Sequence, residues 1–218
     1  MTPGRGNQHK SRLGSMRVLD LFCGAGGAAM GLHRAWPDAE IVGVDIHRQP
    51  SYPFKFVQAD AMLYPLEGFY FIWASPPCQA YSNTRKITGK TYPELVGPTR
   101  ERLEASGIPY VIENVPGARL RNPIMLCGTM FGLRVIRHRH FESSFLMLQP
   151  PDGRHGGTNS HRGYSAGAEF VCVAGHNYIR TEGAEAMGID WMRTRDELSE
   201  AVPPAYSEFI AKQWELYR

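Results

Sequence analysis

Residues 17–27 read RVLDLFCGAGG, and their order of side-chain types sets the fold class. Arg17–Phe22 is a short apolar run of strand character, and Cys23-Gly24-Ala25-Gly26-Gly27 breaks it with a glycine-rich turn. Ala28–Trp36 then reads as a helix rich in small residues. Glycines directly after a strand let backbone approach a ligand closely, and the amides at a helix N-terminus favour a carboxylate or phosphate there. About twenty residues on, Asp45 ends the next apolar run, Glu40–Val44, where an acid usually bonds ribose hydroxyls. A nicotinamide dinucleotide competes for this reading, but its glycine spacing fails, because Ala29 stands at the third glycine position.

Outward from this unit the same punctuation recurs. Phe54–Val57 is followed by Asp60, Phe69–Ala74 is stopped by Ser75-Pro76-Pro77, and Tyr110–Ile112 by Glu113-Asn114-Val115-Pro116. Apolar runs of this length, separated by helices, indicate a mostly parallel sheet covered on both faces: a doubly wound α/β domain. Ligands in such sheets bind beyond the carboxyl ends of the strands, where Asp45, Asp60, Cys78 and Glu113 all fall. The proline pair before Cys78 forces an extended exit from the strand and aims the thiol away from the sheet, as a nucleophile requires. Cys127 and Cys172 read instead as buried apolar residues, the usual place of a free cysteine. Glu113 is placed to bond a heterocyclic base, and alternation in Arg137-His138-Arg139-His140 puts the two arginines on one strand face.

The chain has 218 residues, 43% hydrophobic and 21% charged, which suits one well-buried domain. No run approaches the roughly 18 apolar residues of a membrane span and no signal peptide opens the chain, so a cytoplasmic protein with no membrane partner is expected. The four cysteines form no CxxC pair, which argues against a disulfide framework. The net charge of +3 is matched by Arg5, Lys10 and Arg12 in an acid-free leader, residues 1–15, read as a flexible arm or expression remnant. Global charge therefore says nothing for nucleic acid, and any basic footprint must be local. From Pro150 to Gly167 the texture shifts to Gly, His, Ser, Thr and Arg, with one apolar run beyond it at Phe170–Ala174, so residues 149–184 are read as a small insert between catalytic segments 16–148 and 185–218.

Taken together, DLFCGAGG at 20–27, SPPCQ at 75–79, ENV at 113–115, RHR at 137–139 and AVPP at 201–204 resemble the cytosine-C5 DNA methyltransferase family, in the family's order. The resemblance implies a Rossmann-like, S-adenosylmethionine-dependent domain. It puts Phe22 against the adenine, Gly24 and Gly26 at the methionine end, Asp45 on the ribose and Asp60 on the adenine amino group. Cys23, Gly27, Ile46, Ala61 and Pro77 would also line the cofactor. Cys78 would attack carbon 6 of cytosine, Glu113 would bond N3 and the exocyclic amine, Arg139 would contact O2, and Arg137 would support the site. Gln79, Ser82, Arg154, Arg162 and Arg180 would contact DNA, with a monomer expected.

Three positions depart from the family. Val135 stands where a glutamine is usual, Ser199-Glu200 replaces a Gly-Asn pair, and the recognition segment spans only about forty residues. The short segment keeps open a relative acting on RNA or nucleotides, and a silent cofactor-binding DNA module is a further alternative that intact Cys78 and Glu113 speak against. Cys172-x3-His176 with His155 and His161 offers four zinc ligands. Loop histidines and arginines facing DNA explain the insert more simply, so no metal is expected.

Overall fold

The computed structural model of the chain describes residues 16–78, 93–153, 155, 169–175 and 177–217. Its centre is a seven-stranded sheet in the order β3-β2-β1-β4-β5-β7-β6. β1 (Arg17–Leu21), β2 (Glu40–Asp45), β3 (Lys55–Gln58), β4 (Phe71–Ala74) and β5 (Tyr110–Asn114) are mutually parallel. β7 (Arg139–Ser143) runs antiparallel to β5, and β6 (Ile124–Leu126) antiparallel to β7. The mostly parallel α/β architecture read from the sequence is therefore the observed one, and strand order reverses between β1 and β4. A crevice opens at such a reversal, beyond the carboxyl ends of the two strands.

Alternation along the strands splits the core into two layers. Val18, Phe71, Trp73, Val111 and Phe141 point to one face, while Leu19, Leu21, Ile72, Ala74 and Ile112 point to the other. Helices α1 (Gly27–Ala35) and α5 (Pro204–Glu215) cover the first face, and Leu103 of α2 (Val96–Ser106) packs on the second. The small residues of α1 serve this packing. A Cβ on Gly31 would lie 2.0 Å from the Pro204 carbonyl, and Ser207 Oγ donates to the Ala28 carbonyl at 2.8 Å.

Strand limits differ from the sequence reading for identifiable reasons. Phe69 is buried yet lies outside the ladder, so β4 starts at Phe71. β5 runs on to Asn114 because β7 pairs with its end, matching Glu113 to Phe141 and Asn114 to His140. The basic run does not lie wholly in a strand, since β7 begins at Arg139 and Arg137 and His138 precede it.

The later part of the chain packs back onto this body. α3 (Arg180–Met187) and α4 (Arg195–Glu200) share a cluster with Val135, Val171, Val173 and Ala25. The apolar run expected inside the insert is thus built into the core, with the Val171 amide donating to the Arg134 carbonyl at 2.8 Å. α4 opens on a capping box: Thr194 Oγ1 accepts the Glu197 amide, and Glu197 Oε2 accepts the Thr194 amide. Among the described residues, no helix is long and apolar enough to cross a membrane.

Candidate active site

The turn after β1 is held in a conformation few sequences tolerate. Phe22 sits at φ 56°, Gly24 at φ 47° and Gly26 at φ 84°, all in the left-handed region. A non-glycine residue there is strained, and such strain clusters at ligand sites. Asp45 pins the turn from the end of β2, its Oδ2 accepting the Gly24 amide at 3.0 Å and its Oδ1 the His47 amide at 2.9 Å. A carboxylate has capacity for further bonds after accepting those two. Nothing lies within 4 Å of where a Cβ on Gly24 would be, so the turn is open on that side. At Asp60, Oδ1 accepts the Met62 amide at 2.8 Å.

The second half of the site is built by the exit from β4 and the end of β5. The Ser75 amide donates to the Leu21 carbonyl at 3.1 Å, and Trp73 Nε1 donates to Ser75 Oγ at 3.0 Å. Asn114 Nδ2 donates to the Pro76 carbonyl at 2.8 Å from a buried position, tying the Ser75-Pro76-Pro77-Cys78 loop to the adjacent strand end. Glu113 Oε1 meets Arg139 Nε at 3.0 Å in a largely buried ion pair, and Arg139 Nη1 donates to the His138 carbonyl.

One cavity of about 580 Å³ joins both halves. Phe22, Cys23, Gly24, Gly27, Asp45, Ile46, Asp60, Ala61, Pro77, Cys78, Glu113 and Arg139 all line it. Two residues assigned to the site from sequence lie outside that lining. Gly26 is required by packing, because a Cβ there would meet Pro53 Cδ at 2.7 Å and the Tyr52 ring at 3.0 Å. Arg137 is buried behind Arg139, where its Nη1 donates to the Val173 carbonyl at 2.8 Å and its Nη2 to the Ser199 carbonyl. Arg180 Nη1 is engaged within the chain, on the Met192 carbonyl at 3.1 Å. Gln79, Ser82, Arg154 and Arg162 lie outside the described residues, as do His161 and His176.

Electrostatics separate the thiols. Burial, then Asp20, push the Cys23 thiol far above its ordinary value, so Cys23 is an inert wall. Burial, then Glu113, also raise Cys78, while Arg139 and Arg137 oppose them. Burial raises the Glu113 carboxyl against the pull of Arg139. Burial therefore favours the neutral form of each group, while the two cations beside them favour a thiolate whenever Glu113 becomes neutral. Burial, then Arg139, lower the Arg137 guanidinium to about 9, still above neutrality, so it keeps its charge.

Several contributors carried no signal in the sequence. Asp20 lines the cavity from inside β1, its carboxyl pushed up by burial and bonded by Tyr52 Oη at 3.3 Å. Tyr206 Oη donates to the Arg137 carbonyl at 2.6 Å, and Trp191 Nε1 to the Ala25 carbonyl at 2.9 Å. Glu197, Ser199 and Glu200 of α4 complete the wall. Only the Ser199-Glu200 departure hinted that this helix matters.

No family model matches the chain, and no curated protein matches it. Among solved structures, the chain is similar to the Entamoeba histolytica methyltransferase EhMeth, with 12% identity, 94% of this chain and 99% of that chain covered, and a TM-score of 0.58. An RNA methyltransferase from Salinibacter ruber overlaps at 15% identity over 64% of this chain and 87% of that one, with a TM-score of 0.33. The likeness to EhMeth extends over almost the whole of both chains, and it is a likeness of fold: the seven-stranded, mostly parallel, Rossmann-like sheet is shared.

Proposed function

We propose that this chain is an S-adenosylmethionine-dependent methyltransferase acting on carbon 5 of cytosine in DNA, with Cys78 as nucleophile. One observation carries the reading: a single cavity joins an acid-lined nucleotide end to a thiol, carboxyl and guanidinium at the other end. The fold shared with EhMeth, itself a methyltransferase, agrees with it.

The charge of the lining favours one cofactor class. Asp45, Asp60 and Glu197 line the nucleotide end beside Asp20 and Glu200, whose carboxyls burial pushes up, and Arg139 is the sole lysine or arginine among the described lining residues. A dinucleotide diphosphate would meet carboxylates there, whereas a ligand carrying sulfonium and ammonium charges is attracted. The open Gly24 turn at the N-terminus of α1 suits that ligand's own carboxylate. The residues therefore fit S-adenosylmethionine, with Asp45 on the ribose, Asp60 at the adenine and Phe22 beside the ring. When bound, it would supply an electrophilic methyl group on sulfur.

The other end prepares the base. Carbon 5 of cytosine is too weak a nucleophile on its own. Cys78 as thiolate adds to carbon 6 while Glu113 shares its proton at N3, which moves electron density onto carbon 5. A neutral Glu113 also removes the charge that opposes the thiolate, so protonation of Glu113 and loss of the Cys78 proton favour each other. Arg139 orients Glu113 and reaches the base carbonyl O2. Once carbon 5 is methylated, its proton passes to solvent water, N3 returns its proton to Glu113, the thiolate is expelled from carbon 6, and the ring is restored. A base inside a duplex cannot reach Cys78, so it is flipped out.

Arg154 and Arg162 are assigned to DNA phosphates, and Gln79 and Ser82 to further DNA contacts. Replacing Arg154 should weaken binding alike on all sequences and lower the salt slope by about one. Transfer of tritiated methyl to DNA, RNA and dCMP in parallel tests the substrate class. Label in DNA supports the proposal, and label confined to RNA or dCMP overturns the DNA assignment.

A further inference from the structure

Behind the arginine pair lies a cluster that the proposed reaction does not use. β6 and β7 end their ladder at Leu126 and Arg139, so Cys127 and His138 are the next facing residues. Side chains alternate here: Arg139 turns to Glu113, and His138 turns away from it, towards Cys127. His155 arrives from the start of the insert, its Nε2 3.2 Å from His138 Nε2. The three ligand atoms, Cys127 Sγ and one nitrogen of each histidine, all lie within 4.8 Å of one another.

We propose that Cys127, His138 and His155 form a binding site for a divalent transition-metal ion, of which zinc fits best. A thiolate with two imidazoles is a borderline-soft donor set that selects zinc over magnesium or calcium. Two nitrogens on one tetrahedral zinc stand about 3.3 Å apart, and a sulfur and a nitrogen about 3.6 Å, which the cluster approaches without rearranging its backbone. Cys127 is buried at the head of a 3-10 turn (Gly128–Phe131), where its carbonyl accepts the Met130 amide at 3.0 Å and its amide donates to Met130 Sδ at 3.3 Å. The approach of the third ligand is tight as well, since a Cβ on Gly153 would lie 2.2 Å from Thr129 Oγ1 and 2.5 Å from the Met130 amide nitrogen. With three protein ligands, water takes the fourth position.

The ion acts as a strut. It would fasten His155, in the first part of the insert, to the end of β6 and to the segment before β7 that carries Arg137. The ligands are separated by 10 and 16 residues, a spacing matching no common zinc pattern, and the sequence drew attention to Cys172 and His176 instead.

The test uses the full chain, stripped with a chelator and titrated with Co²⁺. One equivalent should produce the visible bands of tetrahedral cobalt and a near-ultraviolet thiolate-to-cobalt charge-transfer band, both erased by Zn²⁺. Cys127→Ser should lose the charge-transfer band. His155→Ala, an exposed position whose loss leaves the core intact, should lose the tetrahedral bands at one equivalent while far-ultraviolet circular dichroism stays native. Cys78→Ser and Cys172→Ser should retain both signals. A natively folded chain without the charge-transfer band overturns the proposal. So does a band that survives Cys127→Ser or disappears in Cys172→Ser.

Discussion

Strands β1, β2, β4 and β5 deliver the glycine turn, the acids and the thiol from their carboxyl ends, whereas β7 and the segment before it bring arginines and histidines from the opposite direction. On the parallel side each residue owes its place to its own strand and the turn that stops it: Asp45 to the end of β2, Cys78 to the proline pair after β4. On the antiparallel side placement depends on partners far away in sequence. Arg137 is fixed by carbonyls of Val173 and Ser199, and its own carbonyl is held by Tyr206. The first kind of order is local and survives in a short motif. The second is made of long-range hydrogen bonds that no motif records.

Breaking the long-range side should cost the most stability. Arg100 of α2 meets Glu142 of β7 with Nε at 2.6 Å from Oε1 and Nη2 at 2.7 Å from Oε2, and Glu142 also accepts the Arg121 amide. Arg100→Met leaves a buried carboxylate without its cation and should lower unfolding free energy in urea by about 3–5 kcal/mol. If the loss were below about 1 kcal/mol, β7 would not depend on this pair.

On the local side, Glu113→Gln should slow methyl transfer by a factor on the order of 10² or more with folding intact. The same variant has a second signature. Glu113 raises the Cys78 thiol, so removing its charge should shift the alkylation midpoint of the Cys78 peptide to lower pH, read by mass spectrometry. An upward shift would mean that the carboxyl had been favouring the thiolate.

The parallel half was readable because strand, stop signal and reactive residue are consecutive in DLFCGAGG, SPPCQ and ENV. The alternation Arg137-His138-Arg139-His140 was read correctly as a pattern but placed wholly in a strand, because the carbonyls that fix Arg137 lie 36 and 62 residues away. Asp20 stood in plain view inside the first motif, yet its role depends on burial and on Tyr52, neither visible in the run itself. The insert's apolar run Phe170–Ala174 was legible as a run, but not that Val171 and Val173 enter the core beside α3 and α4 while Cys172 between them is exposed. Gly26, read from sequence as a ligand-contacting glycine, carries a packing demand from Tyr52 and Pro53 that the motif does not record.

Two smaller effects sharpen the contrast. Asp45→Ala, which frees the Gly24 turn, should weaken S-adenosylhomocysteine binding by about 1.5–3 kcal/mol in calorimetry, with no gain in NAD binding. Tight NAD binding with no response to S-adenosylhomocysteine would overturn the cofactor assignment. Thr194→Ala removes the cap of α4 and should cost about 1 kcal/mol of stability, with a rise in cofactor dissociation because Glu197, Ser199 and Glu200 line the same cavity.

The covalent step can be caught directly. A cytosine carrying fluorine at carbon 5 has no proton to lose, so the Cys78 adduct formed at carbon 6 should persist after methyl transfer. Incubation with fluorocytosine-containing DNA and S-adenosylmethionine should give an SDS-stable protein–DNA complex, with the modified base mapped to the Cys78 peptide. Cys78→Ala should abolish the complex, while single replacements of Cys23, Cys127 and Cys172 should leave it. Appreciable methylation of DNA by Cys78→Ala, or a trapped complex that maps to another residue, would contradict both the nucleophile and the reaction class.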